Sequence, residues 1–299
     1  MRVNPNMVPD ILADLQQSQV SLNTALQQVS TGQSVNQPSD NPAAAAAMVQ
    51  NYIETGDVDQ YTQNVNTALS TVQSASSVLS SVVTELTQAV SVGTEGATGT
   101  NSSSNLQAMA EQVQGILSNV VSQANTSVSG VYLFSGTGTT TPYTADATTP
   151  NTYTYNGNND VNSVVVGDNM SVQVNLPGSQ VFSNSTTNVL GALGDLVTAL
   201  QSGNSSDIQT ATTEVNSAVD YIGGQQAIYS NAESQLNSQE TSLQADTVTL
   251  STQANNLIGV NMATAATNLT QAETDNSAAL AAAAKVLPNT LLDYLEPPT

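Results

Sequence analysis

Apolar residues at heptad spacing constrain this sequence more than any other feature. Near the N-terminus they recur at alternating steps of three and four residues, the spacing of the a and d positions of a coiled coil. The stripe consists of Val8, Ile11, Leu15, Ser18, Leu22, Ala25 and Val29. It predicts a helix with one narrow apolar face that packs against another helix.

A second heptad run follows and contains no proline. Its a and d positions hold Val58, Tyr61, Val65, Ala68, Val72, Ala75, Leu79, Val82, Leu86 and Ala89. Glycine and serine then break the pattern over residues 93–104, and it resumes from Leu106 to Val120. Two long helices joined by a short polar loop are expected to lie antiparallel.

The C-terminal part of the chain shows the same heptad spacing of apolar residues. Residues at intervals of seven predict a coiled-coil seam: Ile208, Val215, Ile222, Tyr229, Leu236, Leu243, Leu250 and Leu257. A last stripe holds Ile258, Met262, Ala265, Leu269, Ala272, Asn276, Ala279, Ala283 and Val286.

The middle of the chain is different, because Tyr, Thr, Val and Gly dominate it. Alternating stretches at 152–155, 161–166 and 170–176 are separated by Asn, Gly and Asp turns, which is typical of short strands.

These patterns predict a mainly α protein with a small β domain. A long antiparallel coiled-coil helical bundle is formed by both chain ends, with the β insert in the middle. The expected division is an N-terminal helical half of the core domain (1–130), a β-rich outer domain (131–185) and a C-terminal helical half (186–299). The stripes at the two ends are too narrow to be stable alone, so they need each other or a neighbouring subunit.

The charge inventory argues against two classes of partner. Two basic residues, Arg2 and Lys285, stand against 23 acidic residues, which gives a formal net charge of −21. Binding to nucleic acid or to an anionic membrane surface requires Lys and Arg that this chain lacks.

The absence of His and Cys removes most catalytic and metal-binding chemistry. Glutamates such as Glu111, Glu233 and Glu273 fall within helical periods and are expected to face solvent. The run from Asn156 to Asp160 is interpreted as a hairpin turn rather than a calcium loop. We therefore predict that the protein is not an enzyme, that it has no catalytic residues, and that it binds neither a metal nor a cofactor. The sequence also has no cleavable signal peptide pattern and no apolar run long enough for a membrane span.

Three segments resemble the bacterial flagellins and the hook-filament junction proteins of the same superfamily. LNTALQQVSTGQSVNQPSDNPAAAAAM (22–48) is similar to their N-terminal region, and SGVYLFSG (129–136) is similar to the entrance of the junction proteins' β domain. Residues 262–295 resemble the C-terminal helix, and the ending Leu-Leu-Asp-Tyr-Leu favours the junction proteins over flagellin. The family usually has a basic residue where Gln33 stands.

The motif within the first segment is expected to end one helix and to begin the next. Gly32 can end the first helix in a left-handed conformation. Pro38, which precedes Ser39, forces an extended conformation on the residue before it. Asp40 or Asn41 can cap the helix that is entered through Pro42.

The resemblance implies a structural subunit exported to the extracellular flagellum without a cleaved signal peptide. It would polymerise as a helical tube at the hook-filament junction and connect the first hook-associated protein to flagellin, after binding a flagellar export chaperone. The residues expected to form the assembly interface are Val8, Ile11, Leu15, Leu22, Val29, Ile258, Met262, Leu269, Leu291, Leu292, Tyr294 and Leu295.

Two alternatives stay open at the level of the sequence. One is a flagellin-type filament subunit, and the other is a secreted coiled-coil adhesin whose β domain carries the binding function.

Overall fold

The computed structural model describes residues 7–295 of the chain, and the side chains of residues 9–285. Seven helices occupy most of this range, and the fold is mainly α with short strands between α3 and α4. The helices are α1 Met7–Thr31, α2 Pro42–Gly96, α3 Ser103–Ala124, α4 Gly178–Val181, α5 Val189–Ser202, α6 Ser205–Ile258 and α7 Met262–Leu295.

Six short strands form three separate antiparallel pairs, and the segments predicted at 152–155, 161–166 and 170–176 contribute three of them. The strands are β1 Ser127–Val128, β2 Val131–Tyr132, β3 Tyr143–Ala145, β4 Tyr153–Tyr155, β5 Ser163–Gly167 and β6 Met170–Gln173. β1 pairs with β2, β3 with β4, and β5 with β6, with a bulge between Val165 and Gly167. Two strands alone are marginally stable, so these hairpins depend on the helices and loops around them.

The chain divides into two compact units, of which unit 1 combines an N-terminal with a C-terminal segment and unit 2 is one continuous segment. Unit 1 comprises residues 1–57 and 245–299, and unit 2 comprises residues 58–244. Both units draw on α2 and α6. The three-part division at residues 130 and 185 stays a prediction.

The heptad seams predicted for α2 and α6 form the centre of unit 2. In α2 every a and d residue from Val65 to Ala89 is buried, and in α6 the same holds at each seventh residue from Ile208 to Leu243. Gln73 of α2 donates a hydrogen bond of 3.0 Å to Glu233 of α6. Buried faces of α3 and α5 complete the same core.

The interruption predicted from residue 93 onward begins later in the structure, because α2 continues to Gly96. Gly93 and Gly96, near the end of α2, allow other helices to pack closely against it. A Cβ atom on Gly93 would lie 2.2 Å from Oγ1 of Thr212, and one on Gly96 would lie 2.6 Å from Leu200. Only residues 97–102 separate the two helices. Asn119 of α3 donates a hydrogen bond to Glu85 of α2 at 3.2 Å. Because a short loop joins the two helices and they contact each other well before and after it, they run antiparallel, as predicted.

An aromatic cluster anchors the strand-bearing segment. The rings of Phe134 and Phe182 pack edge to face with centroids 5.3 Å apart, and Tyr143 packs on Phe182 at 5.7 Å. The β5–β6 hairpin is held from two helices, since Asn64 donates to the carbonyl of Val165 and Gln239 to that of Val166, at 2.8 and 3.0 Å.

Candidate assembly interface

The first and last helices of the chain pack against each other in unit 1. A short main-chain bridge links the residues that follow α1 to those that precede α7. Ser34 N donates to Ile258 O at 2.6 Å, and Val260 N donates to Gly32 O at 3.1 Å. Because the end of α1 is tied to the beginning of α7, the two helices run antiparallel.

The faces in contact are the stripes that heptad spacing predicts. Along α1 the partly or fully buried stripe residues are Ile11, Leu15, Ser18, Leu22, Ala25 and Val29, and along α7 they are Ala265, Leu269, Ala272, Asn276, Ala279 and Ala283. The seam therefore contains many alanines, which bury little apolar area per layer.

The predicted interface residues do not all share one environment. Ile11, Leu15, Leu22, Val29, Ile258 and Leu269 are half-buried, whereas Met262 is 50% exposed. Val8, Leu291, Leu292, Tyr294 and Leu295 lie outside the residues whose side chains are described. The role of all these residues between subunits stays a prediction.

The turn motif between α1 and α2 has well-defined local geometry. Gly32 has φ +71°, and its N–H donates to Gln28 O at 3.0 Å as α1 ends. The Asp40 carboxylate accepts from the backbone N–H groups of Asn36 and Gln37 at 3.0 and 2.9 Å.

The helix cap itself is Asn41, whose Oδ1 accepts from Ala44 N at 3.1 Å. Pro42 then opens α2, while Pro38 and Ser39 lie exposed in the turn. Of the two capping candidates, Asp40 therefore folds the turn and Asn41 caps the helix.

Comparison with known proteins identifies the architecture. Residues 3–139 match the family model for the bacterial flagellin N-terminal helical region. A putative flagellar hook-associated protein from Vibrio parahaemolyticus superposes with a TM-score of 0.68 at 18% identity, over 74% of this chain and 100% of that one.

Two further structures agree. The flagellar junction protein FlgL from Legionella pneumophila gives a TM-score of 0.61 at 14% identity, over 71% of this chain and 100% of its own. FlgL from Bacillus cereus gives 0.60 at 20% identity, over 69% and 99%. The chain has the hook-associated protein fold. No curated protein matches it in sequence.

Within this hook-associated protein fold, unit 1 carries apolar side chains that point away from the seam. Sequence reasoning missed all of them except Met262, because the others lie beside the heptad stripe or outside any stripe. Tyr52 is 76% exposed, and the whole set is Leu12, Val20, Leu26, Val49, Tyr52, Ile53, Val248, Met262 and Leu280. We call these nine residues the outward apolar set. Exposed apolar side chains that form a contiguous patch are typical of surfaces that contact other proteins.

Among the described residues, two buried tyrosines and one exposed aspartate have pKa values shifted by their surroundings. Burial raises the pKa of both Tyr143 and Tyr229, and the Tyr229 hydroxyl accepts a hydrogen bond from Leu176 N at 3.0 Å. Hydrogen bonds from the Thr148 side chain and backbone lower the pKa of the exposed Asp146.

Oxygen atoms of the run at Asn156–Asp160 accept hydrogen bonds from other residues of the protein. The side-chain oxygen of Asn158 accepts from Thr137 N at 2.9 Å, and its backbone oxygen accepts from the Tyr155 hydroxyl at 2.8 Å. Among the described residues, no group of three or more acidic side chains could hold a metal ion. In the same part of the chain, no helix has the length and apolar character needed to cross a membrane.

Proposed function

We propose that this protein is a structural subunit of the bacterial flagellum that polymerises at the hook-filament junction. There it would connect the first hook-associated protein to the flagellin filament. The observation that carries the proposal is the pairing of the two chain ends, α1 and α7, within the hook-associated protein fold. The match of residues 3–139 to the flagellin N-terminal region supports the same assignment.

Assembly would use the surface that the paired ends leave uncovered. The seam between α1 and α7 occupies one face of each helix, and the outward apolar set remains exposed on unit 1. Burying such side chains against neighbouring copies stabilises a polymer by roughly 25 cal/mol per Å² of apolar surface. The interface residues of both helices would then lie between concentric layers of a helical tube.

Export and localisation follow from the same assignment. The chain would leave the cell unfolded through the flagellar export apparatus, without a cleaved signal peptide, and end in the extracellular flagellum. A chain with no cysteine has no disulfide to hinder this passage. The segment from Leu291 to Leu295 is the proposed contact for an export chaperone.

Deletion of the gene in the source cell tests the proposal. A junction protein is required to attach the filament, so the deleted cells should lose attached filaments and release flagellin into the medium. Re-expression of the full chain should restore filaments. Normal filaments in the deleted cells would refute the junction role.

A flagellin-type filament subunit is the second candidate, because the matched family model describes the flagellin N-terminal region. Assembly of the purified protein separates the two. A junction protein should stop at a short layer, whereas flagellin should grow long filaments.

A further inference from the structure

One side of strand β5 has no partner strand. Within the described part of the chain, β5 and β6 form a sheet of two strands, so β5 pairs with a strand along one side only. We call the side that faces away from β6 its outer edge. Residues 161–166 have the sequence VNSVVV, which is uncharged, rich in β-branched side chains and free of proline. Segments of this kind pair readily with strands of other chains when their edge is exposed.

The ladder between β5 and β6 shows which backbone groups lie on the outer edge. Val174 N donates to Asn162 O at 3.0 Å, and the one-to-one register continues as far as Val165. Hydrogen-bonded pairs alternate with non-bonded pairs along antiparallel strands. The backbone groups of Ser163 and Val165 therefore point away from β6.

Two side-chain amides from the neighbouring helices bind carbonyl groups of this strand. Asn64 of α2 donates to Val165 O at 2.8 Å, and Gln239 of α6 donates to Val166 O at 3.0 Å. Both bonds lie at the bulge between Val165 and Gly167, where the ladder to β6 is interrupted. A strand of another chain that paired with the outer edge would need the Val165 carbonyl as an acceptor for its own N–H groups.

We propose that Asn64 and Gln239 keep the outer edge of β5 from pairing with strands of other copies of this protein. Covering an edge with a helix is one way in which native proteins prevent such pairing. Here the covering helices also donate hydrogen bonds to carbonyl groups of the strand. The proposal concerns a contact that the protein avoids, and it holds whether or not the protein acts at the hook-filament junction.

The hairpin has further anchors besides these two amides. The Tyr61 hydroxyl donates to the Asp168 carboxylate in the hairpin turn at 3.0 Å. Val166 and Val172 are buried. Replacement of the two amides is therefore expected to expose the outer edge while the hairpin stays folded.

Asn64→Ala combined with Gln239→Ala removes both donors. Thioflavin T fluorescence measures the growth of intermolecular β-sheet by the full-length chain, under identical conditions for every variant. The growth rate should rise at least about tenfold in this double variant. Asn66→Ala with Gln235→Ala is the matched control, since both side chains are exposed amides on the same two helices and neither binds β5. The control should grow no faster than the unmodified protein.

A further variant separates exposure of the edge from a general loss of stability. Val165→Lys is added to the double variant. Val165 is 51% exposed, so a lysine fits there, and its charge opposes pairing along the edge. Growth should return to the level of the matched control, although both amides are still missing.

Circular dichroism checks that each variant keeps its helix content. An unchanged growth rate in the double variant would overturn the proposal. Growth that persists after Val165→Lys would also overturn it, because the new sheet would then not form through β5. Equally fast growth of the matched control would contradict the role given to these two amides.

Discussion

The side chain of Asn51 donates a hydrogen bond of 3.0 Å to the backbone carbonyl of Leu250, which lies 199 residues further along the chain. Asn51 belongs to α2 and Leu250 to α6, and both are buried in unit 1. The bond therefore joins the N-terminal and C-terminal segments of that unit at a point away from the α1–α7 seam.

Asn51→Ala should lower the free energy of unfolding by about 1–2 kcal/mol, because a buried hydrogen bond and its packing are lost. Asn119→Ala is the matched control, since the bond from Asn119 to Glu85 is exposed and its loss should cost less than about 0.5 kcal/mol. Chemical denaturation of both variants measures the difference. Equal effects would mean that the Asn51 bond contributes no more than a surface contact.

Two helical glycines should respond in opposite directions to alanine. At Gly194 in α5, a new Cβ atom would lie 2.6 Å from the backbone oxygen of Asn151, so Gly194→Ala should destabilise the protein by about 1–3 kcal/mol. At Gly223 in α6 nothing lies within 4 Å of the added atom, and Gly223→Ala should stabilise by about 0.5–1 kcal/mol. Thermal unfolding of the two variants provides the measurement. A stabilising Gly194→Ala would contradict the packing described for α5.

Alkaline pH should destabilise unit 2. Burial raises the pKa of Tyr229 above its ordinary value of 10.0, so the folded state retains a proton that the unfolded state releases. This contribution is fully present below about pH 10 and is lost as the pH rises beyond it. The pH dependence of unfolding between about pH 9 and 11 should therefore be shallower in Tyr229→Phe than in the unmodified protein.

Tyr229→Phe should also cost about 1–3 kcal/mol at neutral pH, because the N–H of Leu176 loses its acceptor. An unchanged alkaline slope together with unchanged neutral stability would refute the role given to this hydroxyl.

Trypsin cleavage after Lys285 can show whether assembly covers the C-terminal part of α7. Lys285 is exposed on α7, and the only other basic residue is Arg2. Cleavage after Lys285 should be at least about tenfold slower in the polymer than in the monomer if assembly buries this end of α7. Mass spectrometry of the digests measures the rate, and Lys285→Gln should abolish the product. Equal rates in both states would place the end of α7 outside the assembled interface.

Heptad spacing predicted most of the helical architecture, because burial on one face is a local property that leaves a periodic trace. The seams of α2, α6 and the α1–α7 pair all lie where that period places them. The trace also includes Ser18 and Asn276, which occupy stripe positions despite being polar.

Features that depend on contacts between distant segments could not be read in the same way. Gly93 looks like a helix breaker in sequence, but it is a packing residue, because Thr212 approaches it from α6. The three strand pairs look like one β domain for the same reason, since alternation reveals strands but not which strands pair. Apart from Met262, the outward apolar set has no periodic signature.

Labelling the protein in intact flagella tests the proposed function most directly. Thr139→Cys introduces one exposed thiol into a chain that has none, and restored swimming of the deleted cells would verify that the variant works. Electron microscopy after coupling to maleimide-gold should show label confined to a single band between hook and filament. Label along the whole filament, or flagella without label, would contradict the assignment to the junction.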